Sequence, residues 1–377
     1  MTTAWIEGRP VSTGEAIREA VTLLSECRLP LVTGALDDMS ALREAARLAG
    51  LARGVLDHQG LAPAVPLIEA LRDNGIIRIA PAELRRRADR VLVIGRDAFA
   101  AEPALFEQIF SVDPDLGAGA KGGLREIVLL GPDGPGRFAA ARGSVRTVPC
   151  GIGDLGDAVG ILRAALAGRP FGNGPFEEGA ARALAGWLQH AGFAAIVFDA
   201  GELDAIAIEM VAGLVSDLNA GTRASALPLL SGGALGAAEG ALWTTGFPLR
   251  TAFGRGGPAH DMVLNDGARL VSAGEADCRV LVTHGEAAGG DQAPDRSGVP
   301  TILLSSAETP NGAGARIAFH VGRPGIDHAS VVHEPRFGSF VTRQAEHSGM
   351  AVNAADILSA IADLLGERSS SNDEARA

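Results

Sequence analysis

Short runs of apolar residues alternate with amphipathic stretches along most of the chain. Each run is long enough for one strand, and several are apolar on both faces, which is typical of parallel strands covered by helices. The predicted strands are Leu29–Thr33, Ile76–Ala80, Arg90–Gly95, Glu126–Gly131, Phe193–Asp199, Ala226–Ser231, Arg279–His284 and Pro300–Ser305.

The amphipathic stretches between these runs have the periodicity of helices. In the first of them, Leu42, Ala45 and Ala49 form one apolar stripe, and Asp37 and Asp38 are candidate N-caps. The predicted helices are Met39–Leu51, Leu67–Asn74, Ala98–Phe110, Leu155–Ala167, Glu177–His190, Asp204–Asn219 and Ala354–Gly366. Strands alternating with helices predict an α/β fold.

Three stretches interrupt this alternation. Gly168–Gly174 and Gly285–Ser297 are dense in Gly, Pro and small residues, as linkers are. The stretch Arg368–Ala377 is Ser-rich and charged, which predicts a disordered tail. No repeat of fixed period occurs, and this excludes solenoids and propellers.

Composition and charge narrow the class of protein. With 377 residues, 47% of them hydrophobic, the chain is large enough for two domains with buried cores. It has 13 Phe, 3 Trp and no Tyr, so we expect an aliphatic core. The net charge of −12 argues against a nucleic-acid or anionic-membrane partner. No apolar run approaches the ~18 residues of a membrane span, and the N-terminal residues do not resemble a signal peptide, so we expect a cytoplasmic protein.

Candidate chemistry is sparse. The predicted strand Arg90–Gly95 runs into the turn Gly95, Arg96 and Asp97, where α/β sheets bind ligands. This turn is either a phosphate-binding loop or an ordinary connection, and the absence of GxGxxG favours the ordinary connection. Cys27, Cys150 and Cys278 are far apart in sequence, which argues against a disulfide framework and against an iron–sulfur cluster. Cys150 has no nearby His, so we interpret it as a buried, unreactive thiol.

The most specific stretch of the sequence is Leu242–Leu249, continued by Phe253–Gly256. Other distinctive stretches are Pro30–Gly34 with the helix after it, Gly54–Asp57, Ala88–Gly95 with Glu102 and Pro103, Leu214–Thr222 and Pro228–Gly233. Taken in order, these stretches resemble the B subunit of formylmethanofuran dehydrogenases, and more closely its homologue in the formyltransferase/hydrolase complex of methylotrophic bacteria. The resemblance implies a fold of two doubly wound, largely parallel-sheet lobes like the central domains of molybdopterin oxidoreductases.

The resemblance also shows what this sequence lacks. The dehydrogenase subunits carry an N-terminal four-cysteine motif for an iron–sulfur cluster, and a Cys or selenocysteine that ligates tungsten or molybdenum. No cysteine precedes Cys27 here, and the stretch His58–Val65, where the family places its metal ligand, contains none. We therefore expect no molybdopterin, tungsten, molybdenum or iron–sulfur cluster in this chain, no metal ligands and no catalytic residues.

The leading hypothesis is a non-catalytic structural subunit of a formyltransferase/hydrolase complex in tetrahydromethanopterin- and methanofuran-linked one-carbon metabolism. The resemblance implies three kinds of partner: a formyltransferase subunit, a zinc amidohydrolase subunit and a further subunit. These partners would carry the zinc and a methanofuran-type carrier. One alternative is a subunit that still binds a pterin or a nucleotide, and another is a metal-dependent oxidoreductase with ligands from His58 or a partner chain.

The resemblance further implies one discontinuous lobe and one inserted lobe. We expect the first over residues 1–80 and 175–377 and the inserted lobe over residues 81–174. A vestigial cleft between the lobes would be lined by the segments that bind ligands in the family. We expect the side chains of Gln59 and Leu61 to narrow this cleft. The candidate cofactor-binding residues of this cleft are His58, Gln59, Gly60, Gly95, Arg96 and Asp97.

Overall fold

The chain divides into two compact units in the computed structural model, which describes residues 3–117, 124–172, 174–230, 232–284, 298–307, 314–347 and 352–374, with side chains up to residue 371 in the last range. Unit 1 comprises Met1–Ala62, Gly233–His333 and Phe340–Ala377, and unit 2 comprises Pro63–Gly232 and Glu334–Ser339. The predicted linker Gly285–Ser297 lies outside the described residues.

Unit 1 contains a mixed sheet. Its strands are β1 (Ala4–Ile6), β2 (Arg9–Val11), β3 (Pro30–Gly34), β4 (Val55–Leu56), β10 (Thr251–Gly254), β11 (Gly257–His260), β12 (Cys278–Thr283), β13 (Thr301–Ser305) and β14 (Ile317–His320). In the described residues their order is β11-β10-β4-β3-β12-β13-β14-β1-β2. The central strands β4-β3-β12-β13-β14 are parallel and the outer pairs are antiparallel. A separate pair consists of β15 (Ser330–Glu334) and β16 (Ser339–Arg343).

The helices of unit 1 bury their apolar faces against this sheet and one another. They are α1 (Thr13–Glu26), α2 (Met39–Leu51), α9 (Ala234–Thr245), α10 (Gly267–Ser272) and α11 (Ala354–Glu374). The Asp38 carboxylate caps α2 by accepting a hydrogen bond from the main-chain N–H of Ala41 at 3.1 Å. Helix α2 packs against α9 and α11. Among the described helices of the whole chain, none is both long and apolar enough to cross a bilayer.

Unit 2 is a parallel sheet with helices. Its strands are β5 (Arg90–Ile94), β6 (Glu126–Gly131), β7 (Ser144–Pro149), β8 (Ala194–Asp199) and β9 (Ala224–Leu229), in the order β7-β6-β5-β8-β9. Its helices are α3 (Val65–Asp73), α4 (Pro81–Arg87), α5 (Pro103–Phe110), α6 (Leu155–Leu166), α7 (Glu178–Gln189) and α8 (Ala205–Leu218). Starting from β5, the chain adds β6 and then β7 on one side of the sheet, and it then adds β8 and β9 on the other side. The gap between β5 and β8 is therefore a topological switch point, where doubly wound sheets bind ligands.

The core of unit 2 is mostly aliphatic, as the composition led us to expect, but it also contains one aromatic cluster. Four phenylalanines pack against one another, mostly edge to face, with ring centroids 5.1 to 6.0 Å apart: Phe99, Phe106, Phe110 and Phe138. Few aromatic residues in the chain thus still suffice for an aromatic cluster, because four of them lie in one segment of it. Beside this cluster lies Arg125, a fully buried side chain.

The division into units differs from the predicted one. Strands β8 and β9 pair with β5, so residues 175–232 belong with the inserted segment and not with the first lobe. The boundary near residue 80 is also displaced, because α3 packs against α8 and so joins unit 2. The stretch Gly168–Gly174 lies inside unit 2, between α6 and α7, and is not a connection between units.

Two local predictions are also wrong. The stretch Ile76–Ala80 forms only a single bridge, Arg78 to Ala226, and no strand. The predicted disordered tail is helical as far as Glu374. Its serines satisfy their hydroxyls within the helix, since Ser369, Ser370 and Ser371 each donate to the carbonyl four residues earlier at 3.0 to 3.1 Å.

Candidate functional site

The carboxyl ends of the parallel strands in unit 1 bring polar side chains to one edge of the sheet. Asp37 follows β3, Asp57 and His58 follow β4, and His284 follows β12. Ligands of open α/β sheets bind at this edge. His58, a candidate from the sequence, therefore lies at this edge of the sheet.

Asp57 is committed to the main chain. Its Oδ1 accepts a hydrogen bond from the His58 N–H at 2.8 Å, and its Oδ2 accepts one from the Gly267 N–H at 2.8 Å. The Arg250 Nε lies 3.8 Å from Oδ1, and the same guanidinium forms an ion pair with Asp266. Burial raises the pKa of Asp57 to about 6, although the two hydrogen bonds and Arg250 oppose the rise.

His58 is held within its own loop. Its side chain is 4% exposed, and its Nδ1 accepts a hydrogen bond from the Gly60 N–H at 3.0 Å. Because Nδ1 accepts, the proton of the neutral ring lies on Nε2, which is 3.4 Å from Asp37 Oδ1. Gln59 and Gly60 are exposed, whereas Leu61 is fully buried.

The raised pKa of Asp57 gives a pH dependence with a definite sign. Between about pH 4 and 6 the folded state binds this proton more tightly than the unfolded state, so stability falls as the pH rises. The expected loss is about 3 kcal/mol across that range, from a shift of roughly two pKa units. Urea unfolding of wild type and Asp57→Asn at several pH values measures it. We expect the wild type to lose stability relative to the variant as the pH rises, and a difference independent of pH would contradict the assignment.

At the switch point of unit 2, the side chain of Glu202 occupies the turn after β5. Gly95 has a φ of +95°, and a Cβ there would lie 2.2 Å from Glu202 Oε2. Glu202, which follows β8, accepts hydrogen bonds from the Arg96 main-chain N–H at 2.7 Å and from Arg96 Nη1 at 3.0 Å. A protein carboxylate thus holds the position that a ligand phosphate takes at such a turn.

Asp97, the last residue of this turn, also has a structural role. Its Oδ1 accepts a hydrogen bond from the Phe99 N–H at 3.1 Å, which stabilises the turn. Its Oδ2 forms an ion pair with Arg137 at 2.5 Å. Gly95, Arg96 and Asp97 are therefore together, as the sequence predicted, and engaged with protein groups.

The six candidates fall into two groups, His58–Gly60 in unit 1 and Gly95–Asp97 in unit 2. Sequence reasoning missed two residues that contact these groups. Glu202 binds the Gly95 turn, and Arg250 lies beside Asp57. Glu202 carries a weak signal, since it follows a predicted strand at the ligand-binding edge. Within the described ranges, no three His, Cys, Asp or Glu side chains are arranged to hold a metal ion.

Comparisons with known proteins find a curated relative and a solved structure that match nearly the whole chain. No protein-family model matches the chain. The curated B subunit of the formyltransferase/hydrolase complex Fhc of Methylorubrum extorquens is 32% identical, with 97% of this chain and 98% of that protein aligned. A chain in the crystal structure of the formyltransferase/hydrolase complex from Methylorubrum extorquens, determined with methylofuran, superposes with a TM-score of 0.83 at 31% identity. That match covers 97% of this chain and 99% of the other.

The similarity extends over both units and nearly the whole length of each protein. It confirms the resemblance to the formyltransferase/hydrolase complex and the mixed α/β fold with parallel sheets. The chain belongs to the family of B subunits of formyltransferase/hydrolase complexes.

Proposed function

We propose that this chain is a non-catalytic, structural subunit of a formyltransferase/hydrolase complex that serves tetrahydromethanopterin- and methanofuran-linked conversion of formaldehyde to formate in the cytoplasm. Its partners would be a formyltransferase subunit, a zinc amidohydrolase subunit and a further subunit, with the zinc and the methanofuran-type carrier on those partners. The complex of the relative that was determined with methylofuran supports this setting.

The observation that carries the proposal is the Glu202 carboxylate on the Gly95 turn. A phosphate bound there would have to displace a side chain that accepts two hydrogen bonds from Arg96. It would also meet the negative charge of that carboxylate at short range, which disfavours any anionic cofactor. This arrangement argues against the alternative of a retained pterin or nucleotide.

The residues after β4 do not fit a molybdenum or tungsten centre either. Asp57 is the residue at the end of the strand that the family resemblance places before its thiolate or selenolate ligand. Both of its oxygens accept main-chain hydrogen bonds. A carboxylate is also a hard ligand where these metals take soft sulfur or selenium. His58 Nδ1, likewise, is occupied by the Gly60 N–H.

Analysis of the purified complex tests the proposal. We expect no near-stoichiometric molybdenum, tungsten or iron assignable to this chain by elemental analysis and visible absorption. We also expect the isolated chain to turn over no formylated one-carbon carrier. A stoichiometric metal on this subunit, or turnover by the isolated chain, would end the structural interpretation.

Two substitutions separate assembly from chemistry. His58→Ala and Glu202→Gln, each in the co-expressed complex, should leave formyl transfer and hydrolysis per assembled complex within about twofold of wild type, less than the 10²–10⁴-fold that loss of a general acid or base costs. The yield of complex is measured in parallel, so a folding defect registers there. A large loss of turnover in fully assembled His58→Ala complex would instead assign chemistry to this subunit.

A further inference from the structure

Unit 2 contains a groove between helices α6 and α8. Its volume is about 770 Å³, and its lining includes Gly160, Ile161 and Ala164 of α6 and Ile206 and Met210 of α8. The three α6 residues are spaced three or four positions apart, so they lie on one face of that helix. The groove is thus formed by two neighbouring helices of a single unit.

The distance between the two helices opens this groove towards one end. A Cβ added to Gly156 would lie 3.5 Å from the Ala207 Cβ, so the helices are in contact there. One turn further along α6, a Cβ added to Gly160 would meet the Met210 sulfur at 3.9 Å and no other atom within 4 Å. Glycine inside a helix is destabilising relative to alanine, so the space beside Gly160 is present at the expense of helix stability.

The apolar surface of the groove continues onto the outside of the unit. Ile206, at its edge, is 68% exposed, and Ile161 and Met210 are partly exposed. Contiguous apolar surface of this kind marks interaction sites. A small-molecule pocket encloses roughly 70–90% of its ligand, whereas this surface extends beyond the groove. That shape suits a protein segment laid along the groove.

The charges at the groove are acidic. Asp157, Glu202 and Asp204 line it, and no Arg, Lys or His among the described residues does so. Glu202 pairs with Arg96, and the Asp204 carboxylate accepts a hydrogen bond from the Ala207 N–H at 2.8 Å. Asp157 is exposed. The rim therefore repels an anionic ligand and attracts a cationic one.

Charge also distinguishes between the possible protein occupants. The net charge of this chain is −12, so a second copy would bring more negative charge to an acidic rim. We propose that the groove binds a basic, partly apolar segment of a partner subunit, with an apolar side chain beside Gly160 and a Lys or Arg facing Asp157. This inference rests on the proposed function, because it assigns the surface by which the structural subunit holds a partner.

Filling the groove tests this docking site. Gly160→Leu places a side chain beside Met210, and Gly186→Leu of α7 is the matched control, since a Cβ there meets no atom within 4 Å. Both replace a poor helix former by a good one, so we expect both chains to fold. Each full chain is co-expressed with the three proposed partner subunits, and the complex is recovered through a tag on a partner. Gly160→Leu should lower the recovery of this chain at least about tenfold, as loss of an interface anchor does, and Gly186→Leu should stay within about twofold.

Asp157→Lys tests the charge without changing the floor of the groove. We expect this variant to assemble severalfold less well than wild type, and wild-type assembly to weaken as salt is raised. Ile206→p-benzoylphenylalanine then identifies the occupant by photo-cross-linking in the assembled complex and peptide mapping. We expect a cross-link to a partner-subunit peptide that carries a Lys or Arg next to apolar residues.

The readouts distinguish this docking site from the proposed function. Wild-type chain that joins the complex while folded Gly160→Leu joins it equally well would overturn the docking site alone, as would a cross-link to a second copy or to an acidic segment. Circular dichroism and thermal melting report the fold, and if Gly160→Leu misfolds, wild-type-like assembly of Asp157→Lys overturns the proposal instead. Wild-type chain that joins no partner would end the proposed function and this inference with it.

Discussion

Replacing Arg125 by methionine is expected to lower the free energy of unfolding of the protein by about 3–5 kcal/mol, a large fraction of the stability of a typical domain. Burial lowers the pKa of Arg125 to about 10, which leaves the guanidinium charged at neutral pH. It lies 5.3 Å from the Phe110 ring. It donates to carbonyls at the ends of α4 and α5, at distances of 2.7 to 3.3 Å: Leu84, Arg85, Ala88 and Ile109.

The reason for the size of this effect is that helix ends leave carbonyls without partners. Methionine fills a similar volume but donates no hydrogen bond, so several buried carbonyls lose their donor together. Urea denaturation followed by circular dichroism measures the change. Arg125→Lys should recover only part of it, since an ammonium has three donors and no planar fork.

Arg142→Met is the matched control for the loss of a positive charge. Arg142 is in the same unit and pairs with Asp113, but its side chain is 59% exposed. An exposed ion pair contributes at most about 1 kcal/mol. Equal destabilisation by the two substitutions would show that charge, and not the carbonyl contacts, explains the role of Arg125.

Replacing Gly34 by alanine is expected to destabilise the protein by about 3 kcal/mol or more, from backbone strain and overpacking together. Gly34 ends β3 with a φ of +124°, a conformation that L side chains rarely adopt. An added Cβ would lie 2.0 Å from the Val282 carbonyl oxygen of the neighbouring strand. A backbone atom in a central strand cannot rotate away, so β3 and β12 would have to separate.

Gly8→Ala separates the two contributions. Gly8 has a φ of +76° and no atom within 4 Å of an added Cβ, so only the conformational cost applies there. We expect a loss of about 1 kcal/mol for this variant. Thermal melting of both variants provides the comparison, and a Gly34→Ala protein as stable as Gly8→Ala would refute the steric argument.

The sequence predicted the buried central elements of the fold best. Helix Met39–Leu51 and strand Glu126–Gly131 have the predicted bounds, because a cap or a continuous apolar run marks each of them. Helix Ala234–Thr245 was missed, since it is glycine-rich and has no polar face that would reveal a helical period. The edge strand Ser144–Pro149 was missed because none of its residues is buried and it ends in proline.

For the candidate site, the local sequence predicts the turn in which the candidate residues lie, but it does not predict which side chains bind that turn. Gly95, Arg96 and Asp97 form the predicted turn because a buried strand precedes a glycine. Nothing near Gly95 in the sequence indicates that Glu202 fills that turn, since strand order decides which loops meet.

The division of the chain also constrains how the protein is made. Nearly all of unit 2 is one continuous segment, Pro63–Gly232, whereas β3 of unit 1 pairs on one side with β12, which is synthesised long after it. During translation unit 2 can therefore fold while β3 still lacks its partner β12. Helix α11, which follows every other described element in the chain, packs on α1 and α2. Unit 1 thus closes only after α11 has been synthesised, and until β12 is made, β3 has an exposed edge for chaperones to protect.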